Sequence, residues 1–412
     1  MSILGRLETA IGDWLTSTDT LRAASAELRK LAPITVAGGR TFVFRRDDVA
    51  EVLGNERAFG VTEIYADRMA RTTGTFFLGM EDTPRYRREV GLARGAVKTT
   101  DAAAITSIVT SRARELVGAA RARGGVIDAV SDFTRLVPLR LVETYLGVPG
   151  PDPDTMKRWM RNIFWDIFLN QGEDAAVREK ARGCSDELRP YLLGLVAERR
   201  RKLASCTDVD DFVTRLVREQ AADPTIDDDL LRRNIGGVIV GAVDTQSKAM
   251  AHALDQLLRR PAALESARRA ALANDMTSLR AHIWEALRFD PLNPVLFRKC
   301  HADTVVADGT RRRTVIEAGS MVVAFTLSAM FDEEALTDPN EFRLDRPSTT
   351  YMHFGFGQHT CFGAFMNGVV LPAAMRELLV LEGLAYDEDG PGKIEYEGPF
   401  PDRMKLRFDV PR

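Results

Sequence analysis

Cys361 is the residue of this 412-residue sequence whose surroundings point most directly to chemistry. It lies in the glycine-rich segment 354–363, which reads Phe-Gly-Phe-Gly-Gln-His-Thr-Cys-Phe-Gly and leads into a helical pattern over 364–381. Glycine adopts positive φ without strain, so the loop can turn its backbone N–H groups toward a common centre. Those groups and the N-terminus of the following helix stabilise a thiolate, the form of cysteine that binds iron. The segment therefore predicts a metal-binding cysteine.

The other three cysteines are typical of structural residues. They lie far apart and lack the CxxC spacing of zinc sites and redox motifs; their positions are Cys184, Cys206 and Cys300. We expect each to be an ordinary buried thiol in a protein that is kept reduced.

A long helical pattern begins at the capping sequence Thr225-Ile226-Asp227-Asp228 and ends at Pro261. Its apolar centre contains Gly236, Gly237 and Gly241. Glycine is about 1 kcal/mol less favourable than alanine inside a helix, so either another group approaches this backbone closely or a crossing helix packs there. The same centre carries Asp244 and Thr245. On their own, such residues in mid-helix more often make local hydrogen bonds than catalyse a reaction.

Glu285 and Arg288 lie three residues apart in another helical pattern, so their side chains share one helix face. If they are buried, they can join a charge network. As a lone pattern the pair means little, because a solvated ion pair explains most cases.

Taken together, these segments resemble the cytochrome P450 family, the haem-thiolate monooxygenases. The family signature Phe-x-x-Gly-x-His/Arg-x-Cys-x-Gly is matched at its five specified positions by Phe354, Gly357, His359, Cys361 and Gly363. The resemblance extends over nearly the whole chain and is typical of the soluble bacterial members that act in secondary metabolism. It implies a b-type haem whose iron is bound by Cys361, with Gly355 among the loop residues that contact the cofactor.

The family resemblance also adds a third member to the charged pair. In the family, the Glu-x-x-Arg pair is joined by the arginine of a Phe-x-Pro-x-Arg segment. Residues 342–346 supply this arginine as Arg346, with Leu344 in place of the proline. The resemblance therefore implies a structural network of Glu285, Arg288 and Arg346.

Residues 241–245 resemble the oxygen-binding segment (Ala/Gly)-Gly-x-(Asp/Glu)-Thr of the family. Reduced oxygen must receive two protons before the O–O bond breaks, and an apolar site otherwise lacks a donor. The resemblance implies that Asp244 relays protons and that Thr245 holds the oxygen and its water. Ala242, expected to contact the haem, stands where glycine is usual, and Gln246 follows where Thr or Ser is common. Both departures could narrow or re-polarise the oxygen pocket.

The haem propionates need cations or hydrogen-bond donors. The resemblance points to Arg298, His359 and Arg87 for this task. A histidine often precedes the last of these by four residues, and here that position is Thr83. One propionate contact is therefore expected to be weakened or missing.

The resemblance suggests that substrate contacts an apolar cavity. The candidate residues come from the family's substrate-facing segments and are Phe76, Trp165, Phe168, Val240, Val295, Leu296 and Phe400. An aromatic group formed by Trp159, Phe164, Trp165 and Phe168 suggests a hydrophobic substrate, although an ordinary core stripe is nearly as good an explanation.

Composition excludes several other classes of protein. The chain is 45% hydrophobic and 28% charged, as in ordinary soluble globular proteins. The near balance of 56 basic and 59 acidic residues argues against a nucleic-acid binder. The longest apolar run, Ile235 to Val243, is too short to cross a bilayer, and the N-terminus Met1 to Arg6 lacks the apolar core of a signal peptide. We therefore expect a cytoplasmic protein without membrane contact.

The apolar periodicity predicts a mainly helical fold with small peripheral β-sheets. Helices are expected over Leu21–Lys30, Ala102–Ala120, Asp128–Tyr145, Asp174–Lys202 and Leu264–Leu287. Strands are expected over 34–36, 41–44, 304–306, 314–316 and 404–408. With the resemblance, this implies the cytochrome P450 fold, a triangular helical prism around a buried haem. We expect one domain over 1–412, with β-rich parts near 31–60, 295–325 and 390–412.

The implied reaction is insertion of one oxygen atom from O2 into a hydrophobic small molecule, by hydroxylation or epoxidation. Because these residues include no recognisable flavin or ferredoxin module, we expect NAD(P)H-derived electrons to arrive from a separate ferredoxin-type carrier. We also expect a monomer. Arg85, Arg87 and Arg88 could form a basic surface for that partner. Two alternatives remain open: a peroxygenase that uses hydrogen peroxide directly, against which Asp244 and Thr245 argue, and a non-enzymatic haem-based binder or sensor.

Overall fold

The structure is a computed structural model that describes residues 18–205, 209–390 and 392–410. The predictions for the N-terminal segment and for Cys206 lie outside these residues. The chain forms two compact units, of which the first contains residues 18–64 and 252–364 and the second contains 65–251 and 365–410.

Helices dominate the described chain, as the sequence pattern predicts. In chain order they are α1 (Thr18–Leu31), α2 (Arg46–Gly54), α3 (Thr62–Arg71), α4 (Pro84–Ala96), α5 (Ala102–Ala122), α6 (Leu136–Thr144), α7 (Pro153–Phe164), α8 (Ala175–Ala204), α9 (Phe212–Ala222), α10 (Asp228–Val240), α11 (Val243–Leu258), α12 (Pro261–Leu272), α13 (Met276–Phe289), α14 (Thr326–Ala329) and α15 (Ala364–Leu379). Short 3₁₀ segments lie at Phe77–Gly79, Thr99–Asp101 and Ser348–Thr350, and π-helical turns at Val130–Thr134 and Trp165–Leu169.

The strands in the described part of the chain are short and belong to four small sheets. They are β1 (Ile34–Ala37), β2 (Arg40–Val43), β3 (Phe59–Gly60), β4 (Val126–Asp128), β5 (Leu296–Cys300), β6 (Thr304–Val306), β7 (Thr314–Ile316), β8 (Met321–Ala324), β9 (Ala385–Tyr386), β10 (Glu395–Glu397), β11 (Phe400–Arg403) and β12 (Lys405–Arg407).

The first unit is organised around a five-stranded sheet of order β1-β2-β8-β5-β3. β2 and β8 run parallel, and β5 pairs antiparallel with β8, so that Arg298 lies opposite Val322. Apolar residues of β2 and β8 pack with α1, α2 and α14 into one buried core. This core supports β5 and the segment that carries Cys361.

The second unit is mainly helical, and two small sheets complete it. β12 pairs with β4 and β9, and β10 forms a hairpin with β11. α8 packs on α7, α9 and α10. Aspartates cap several helices as their position predicts: Asp152 accepts from the N–H groups of Asp154 and Thr155 at the start of α7.

Three predicted helices are shorter than the periodicity suggests. The long pattern that ends at Pro261 is divided into α10 and α11, and Asp227, not Thr225, caps its start by accepting from the N–H of Leu230. The 264–287 pattern is divided at Asn274, which has a φ of 57°. The 128–145 pattern becomes strand β4, a π-helical turn and α6. Amphipathic periodicity continues through each break because both pieces bury the same kind of face.

Candidate active site

The cysteine segment of the first unit is a closed loop. The N–H of Cys361 donates to the carbonyl of Phe354 at 2.8 Å, and the hydroxyl of Thr360 donates to the carbonyl of Gly357 at 2.7 Å. Gly355 and Gly357 have φ of 80° and 74°, the left-handed region that glycine adopts freely. A Cβ on Gly357 would lie 2.5 Å from the carbonyl oxygen of Leu53. The loop therefore needs glycine there both for its backbone angle and for its contact with α2.

Among the described cysteines, Cys361 is the one that lies at the surface. It is an exposed residue, whereas Cys184 and Cys300 are buried. Loss of water around the thiol nevertheless raises the pKa of Cys361, whereas the hydrogen bond from the backbone N–H of Gly363 lowers it. A cation bonded to the sulfur would stabilise the thiolate against this environment.

The single cysteine of this loop fits an iron atom that is held mainly by a macrocycle. Within the described part of the chain, no group of three or more His, Cys, Asp or Glu residues could hold a metal ion. An exposed cysteine at a glycine loop fits a haem, whose iron would take a thiolate from the protein.

Two further groups support the loop. The Phe354 ring packs on Trp284 of α13 and on His353, with centroid distances of 5.2 and 4.5 Å. On the other side, Glu56 accepts a hydrogen bond from the N–H of Gln358 at 2.6 Å, and its carboxylate lies 3.9 Å from Nε2 of His359. The sequence analysis missed Glu56, and no local pattern singles it out, because it lies some three hundred residues away in the chain.

Arg298 lies on β5 and is 3% exposed. Its guanidinium donates to the carbonyl of Phe297 at 3.0 Å. Val295 is buried just before the strand, and the Leu296 side chain lies 3.7 Å from the point where a Cβ of Gly355 would be. β5 thus carries the proposed propionate ligand Arg298 and the proposed pocket residue Leu296, which lies against the cysteine loop. The second proposed pocket residue, Val295, directly precedes the strand.

Glu285, Arg288 and Arg346 form one network in the first unit. Arg288 donates to both carboxylate oxygens of Glu285, at 2.9 and 2.7 Å, and Arg346 donates to the same carboxylate at 3.1 Å. Glu285 and Arg288 are fully buried. The remaining guanidinium N–H groups donate to backbone carbonyls at Met330, Thr337, Asp338, Pro339 and Glu341. The network therefore ties α13 to the irregular segment 330–346, and burial lowers the pKa of Arg288.

In the second unit, the chain changes from α10 to α11 immediately before the acid and the alcohol. The N–H of Ala242 bonds to the carbonyl of Ile239 at 3.0 Å, a tighter turn than the α-helix. The hydroxyl of Thr245 donates to the carbonyl of Gly241. Ala242 is buried at this break.

Asp244 is 5% exposed and faces Arg161 of α7, whose Nε lies 3.5 Å from its Oδ1. Burial raises the pKa of Asp244, and the charges of Arg161 and Arg135 act against that rise. The second carboxylate oxygen, Oδ2, is buried without a hydrogen-bond partner. The carboxyl group can therefore hold a proton that it offers to another molecule.

Arg161 connects Asp244 to the surface. Its guanidinium pairs with Glu397 and lies 3.9 Å from Asp402, and both carboxylates are about half exposed or more. Arg135 also contacts Asp402, at 3.2 Å. The sequence analysis missed Arg161, because no spacing rule links α7 to α11 or to the β10-β11 hairpin.

The aromatic candidates of the second unit are buried or half-buried. Phe400 packs on Trp165 with a centroid distance of 5.7 Å, and Phe168 packs on Phe164 at 4.9 Å. Phe76 is completely buried, and Val240 is buried at the end of α10. The structure groups Phe400 and Trp165 with Arg161, whose guanidinium carbon lies 5.2 Å from the centre of the Phe400 ring.

The arginines of α4 lie at the surface. Arg87 donates to both oxygens of Asp82 at 2.7 Å, and its side chain is 66% exposed. Arg85 pairs with Glu89, and Arg88 pairs with Asp223. Thr83, in the position expected for histidine, caps α4 through its hydroxyl oxygen. To contact a propionate, Arg87 would have to leave Asp82. Because each of the three arginines is paired with a carboxylate, this surface is close to neutral and is not a basic patch.

Comparison with known proteins gives consistent results. A family model described as Cytochrome P450 matches residues 153–379, more than half of the chain. A mycinamicin IV hydroxylase/epoxidase of Micromonospora griseorubida is 27% identical over 368 residues, 87% of each chain. An erythromycin C-12 hydroxylase of Saccharopolyspora erythraea is 26% identical over 93% of this chain and 90% of the relative.

The fold is shared with solved structures. The crystal structure of CalO2 matches with a TM-score of 0.82 at 22% identity, covering 95% of this chain and 97% of that one. A mutant of P450 EryK in complex with erythromycin B matches with a TM-score of 0.77 at 24% identity, covering 98% of each chain. No helix among residues 18–205, 209–390 and 392–410 has the length and apolar character needed to span a bilayer. The chain therefore belongs to the cytochrome P450 family of monooxygenases.

Proposed function

We propose that this protein inserts one oxygen atom from O2 into a hydrophobic small molecule, by hydroxylation or epoxidation. The observation that carries the proposal is an exposed cysteine, Cys361, in a closed glycine loop. The names of the relatives, a hydroxylase/epoxidase and a hydroxylase, support the same reaction class.

In this proposal the first unit holds the cofactor. Cys361 would bind the iron of haem b, and Arg298 and His359 would contact its propionates. Gly355, Gly357 and Gly363 would let the loop approach the porphyrin, and Phe354 would shield the sulfur. When bound, the haem supplies the chemistry of O2 activation with two externally delivered electrons.

Asp244 and Thr245 would manage the protons. Because burial raises its pKa, Asp244 can carry a proton on the unpartnered Oδ2 and release it where water is scarce. The hydroxyl of Thr245, now donating to Gly241, would turn to orient oxygen and water. Arg161 stays protonated, so its charge would set how readily Asp244 takes up a proton from water, and the exposed carboxylates of Glu397 and Asp402 lie on its other side.

The substrate would be recognised by shape and apolar contact. Phe76, Trp165, Phe168, Val240 and Phe400 would exclude water and orient the substrate, together with Val295 and Leu296. Electrons would come from NAD(P)H through a reductase and a separate ferredoxin-type protein.

The proposal is tested by the spectrum of the reduced, carbon monoxide-treated protein. Thiolate ligation predicts a strongly red-shifted Soret band, which Cys361→Ser abolishes and the control Cys300→Ser at a buried thiol retains. Turnover of a candidate substrate is then compared with ferredoxin, reductase and NAD(P)H and with hydrogen peroxide alone. A colourless wild-type protein would refute the cofactor, and turnover by peroxide alone would favour a peroxygenase.

A further inference from the structure

Glu56 follows α2 and contacts two consecutive residues of the cysteine loop. Its Oε1 accepts a hydrogen bond from the N–H of Gln358 at 2.6 Å, and its Oε2 lies 3.9 Å from Nε2 of His359. The second distance is too long for a direct hydrogen bond but is within the range of a charge contact. One carboxylate therefore contacts both the main chain of the loop and the side chain proposed to bind a propionate.

Water has little access to this contact. The side chains of Glu56 and His359 are 10% and 6% exposed. Charges that are sheltered from water interact through a lower effective dielectric constant, so their interaction is stronger than at the surface. Glu56 can therefore hold the imidazole in place, which an exposed carboxylate does poorly.

The backbone contact alone does not explain why residue 56 is charged. Burial of a carboxylate costs free energy, and the amide oxygen of a glutamine could accept the same hydrogen bond from Gln358. The other group that Glu56 faces in the loop is the imidazole of His359, which does interact with a charge. The negative charge of Glu56 therefore points to a role that involves His359.

α2 anchors Glu56 in the first unit. At the start of the helix, the N–H of Arg46 donates to the carboxylate of Asp332 at 2.9 Å, and its guanidinium donates to the carbonyl of Thr350 at 3.1 Å. Near the end of the helix, Leu53 is fully buried in the core. Glu56 thus follows an element that is fixed at both ends, and a rigid element holds a side chain more accurately than a free loop does.

His359 can interact with two groups at once, because an imidazole ring has two nitrogens. Nε2 is paired with Glu56, which leaves Nδ1 for a second group. A ring that is held at one nitrogen presents the other nitrogen in a defined direction, as outer carboxylates do for histidines that bind metals.

We propose that Glu56 is a positioning residue that orients His359 toward a haem propionate and thereby slows loss of the cofactor. The inference rests on the proposed function. Because Glu56 acts through His359, its contribution should disappear when the imidazole is removed. Its hydrogen bond with Gln358 holds the loop backbone and should persist when an amide of the same shape replaces the carboxylate.

The test is a double-mutant cycle of Glu56→Gln, His359→Ala and the combination, measured on the haem-loaded protein. The readout is the rate at which haem passes to an excess of apomyoglobin, followed by absorption, and it requires neither substrate nor turnover. Glu51→Gln is the matched control. Glu51 also belongs to α2 and accepts one backbone N–H, that of Ala307 at 2.9 Å, outside the cysteine loop.

Glu56→Gln is expected to speed haem loss about tenfold, the lower end of what outer partners contribute to metal affinity. His359→Ala is expected to speed it more, since it removes the side chain proposed to contact the propionate. The combination should lose haem no faster than His359→Ala alone, because the carboxylate then has no imidazole to orient. Glu51→Gln should match wild type.

A merely structural role of Glu56 would give a different pattern. If the carboxylate only stiffened the loop, Glu56→Gln would lower Tm, speed limited proteolysis within residues 354–360 and add its full effect on haem loss to that of His359→Ala. We expect Tm and proteolysis of Glu56→Gln to stay close to those of wild type. Additive effects on haem loss, or an unchanged rate in Glu56→Gln, would overturn the proposal.

His359→Ala could lose its haem during purification, and His359→Asn then takes its place in the cycle. The tenfold effect of Glu56→Gln is expected to shrink in that background as well, and an undiminished effect would refute the proposal. A wild-type protein without pigment would refute the proposed function itself. A pigmented wild type that loses haem at the same rate as Glu56→Gln would refute the role of Glu56 alone.

Discussion

The guanidinium of Arg161 lies 3.5 Å from the carboxylate of Asp244 and also pairs with Glu397 at the surface. A buried acid and an exposed acid thus share one cation. Because the arginine side chain is only 16% exposed, its charge acts on Asp244 with little screening by water. This arrangement allows protonation of Asp244 to respond to changes at the hairpin β10-β11.

Arg161→Gln should slow proton delivery. Loss of the cation leaves burial to raise the pKa of Asp244 further, so the carboxyl becomes a weaker acid. We expect roughly a tenfold lower turnover, less than the roughly 10²–10⁴-fold that a complete general acid contributes, together with a larger solvent isotope effect and more released peroxide. Arg158→Gln, on the same helix and paired with the exposed Glu187, is the control. Equal losses in both variants would indicate a structural effect alone.

Asp244→Asn should change how stability depends on pH. The folded-state pKa of Asp244 is raised, so between pH 3.8 and that raised value the folded state binds more protons than the unfolded state. The free energy of unfolding therefore falls as pH rises through this window. Since asparagine does not titrate, the free energy of unfolding of the variant should fall less over this pH window. The measurement is Tm against pH for both proteins, and parallel curves would contradict the assignment.

Glu285→Ala should destabilise the first unit severely. It removes the carboxylate that receives Arg288 and Arg346 and leaves a fully buried guanidinium without its anion. Breaking a buried ion pair costs about 3–5 kcal/mol of unfolding free energy. Glu115→Ala removes an exposed partner of Arg112 at the same i,i+3 spacing and should cost less than about 1 kcal/mol. Chemical denaturation distinguishes these values, and similar losses would mean that burial does not decide the effect.

Gly357→Ala should impair the cysteine loop more than its backbone angle alone predicts. Gly309 has nearly the same φ, 73°, but a Cβ there meets nothing within 4 Å, so Gly309→Ala isolates the strain of the left-handed conformation. That strain is about 1–2 kcal/mol. The Gly357 variant adds a clash with the carbonyl of Leu53 and is expected to lose more stability and to retain less haem after purification. Equal Tm changes in the two variants would show that the loop can shift.

Local patterns in the chain were sufficient to predict the cysteine loop, the family and the mainly helical fold. Glycines that need positive φ, and side chains three or four residues apart on a helix, leave a signature within a short stretch. Residues 304–306 and 314–316 are strands at the predicted positions for the same reason. The predicted ends of the long helices were less accurate, because apolar periodicity continues unchanged across a break between two similarly buried helices.

Long-range contacts had no such signature. Folding alone brings together three pairs of residues that are distant in the chain: Arg161 and Asp244, Glu56 and His359, and the Phe76 ring and Gly237. The presence of a glycine pair in α10 was visible in the sequence, but which glycine was required depended on the ring packed against it. Spacing along a chain reveals what neighbouring residues can do, whereas the partner of a buried charge or an aromatic ring is selected by the packing of distant elements.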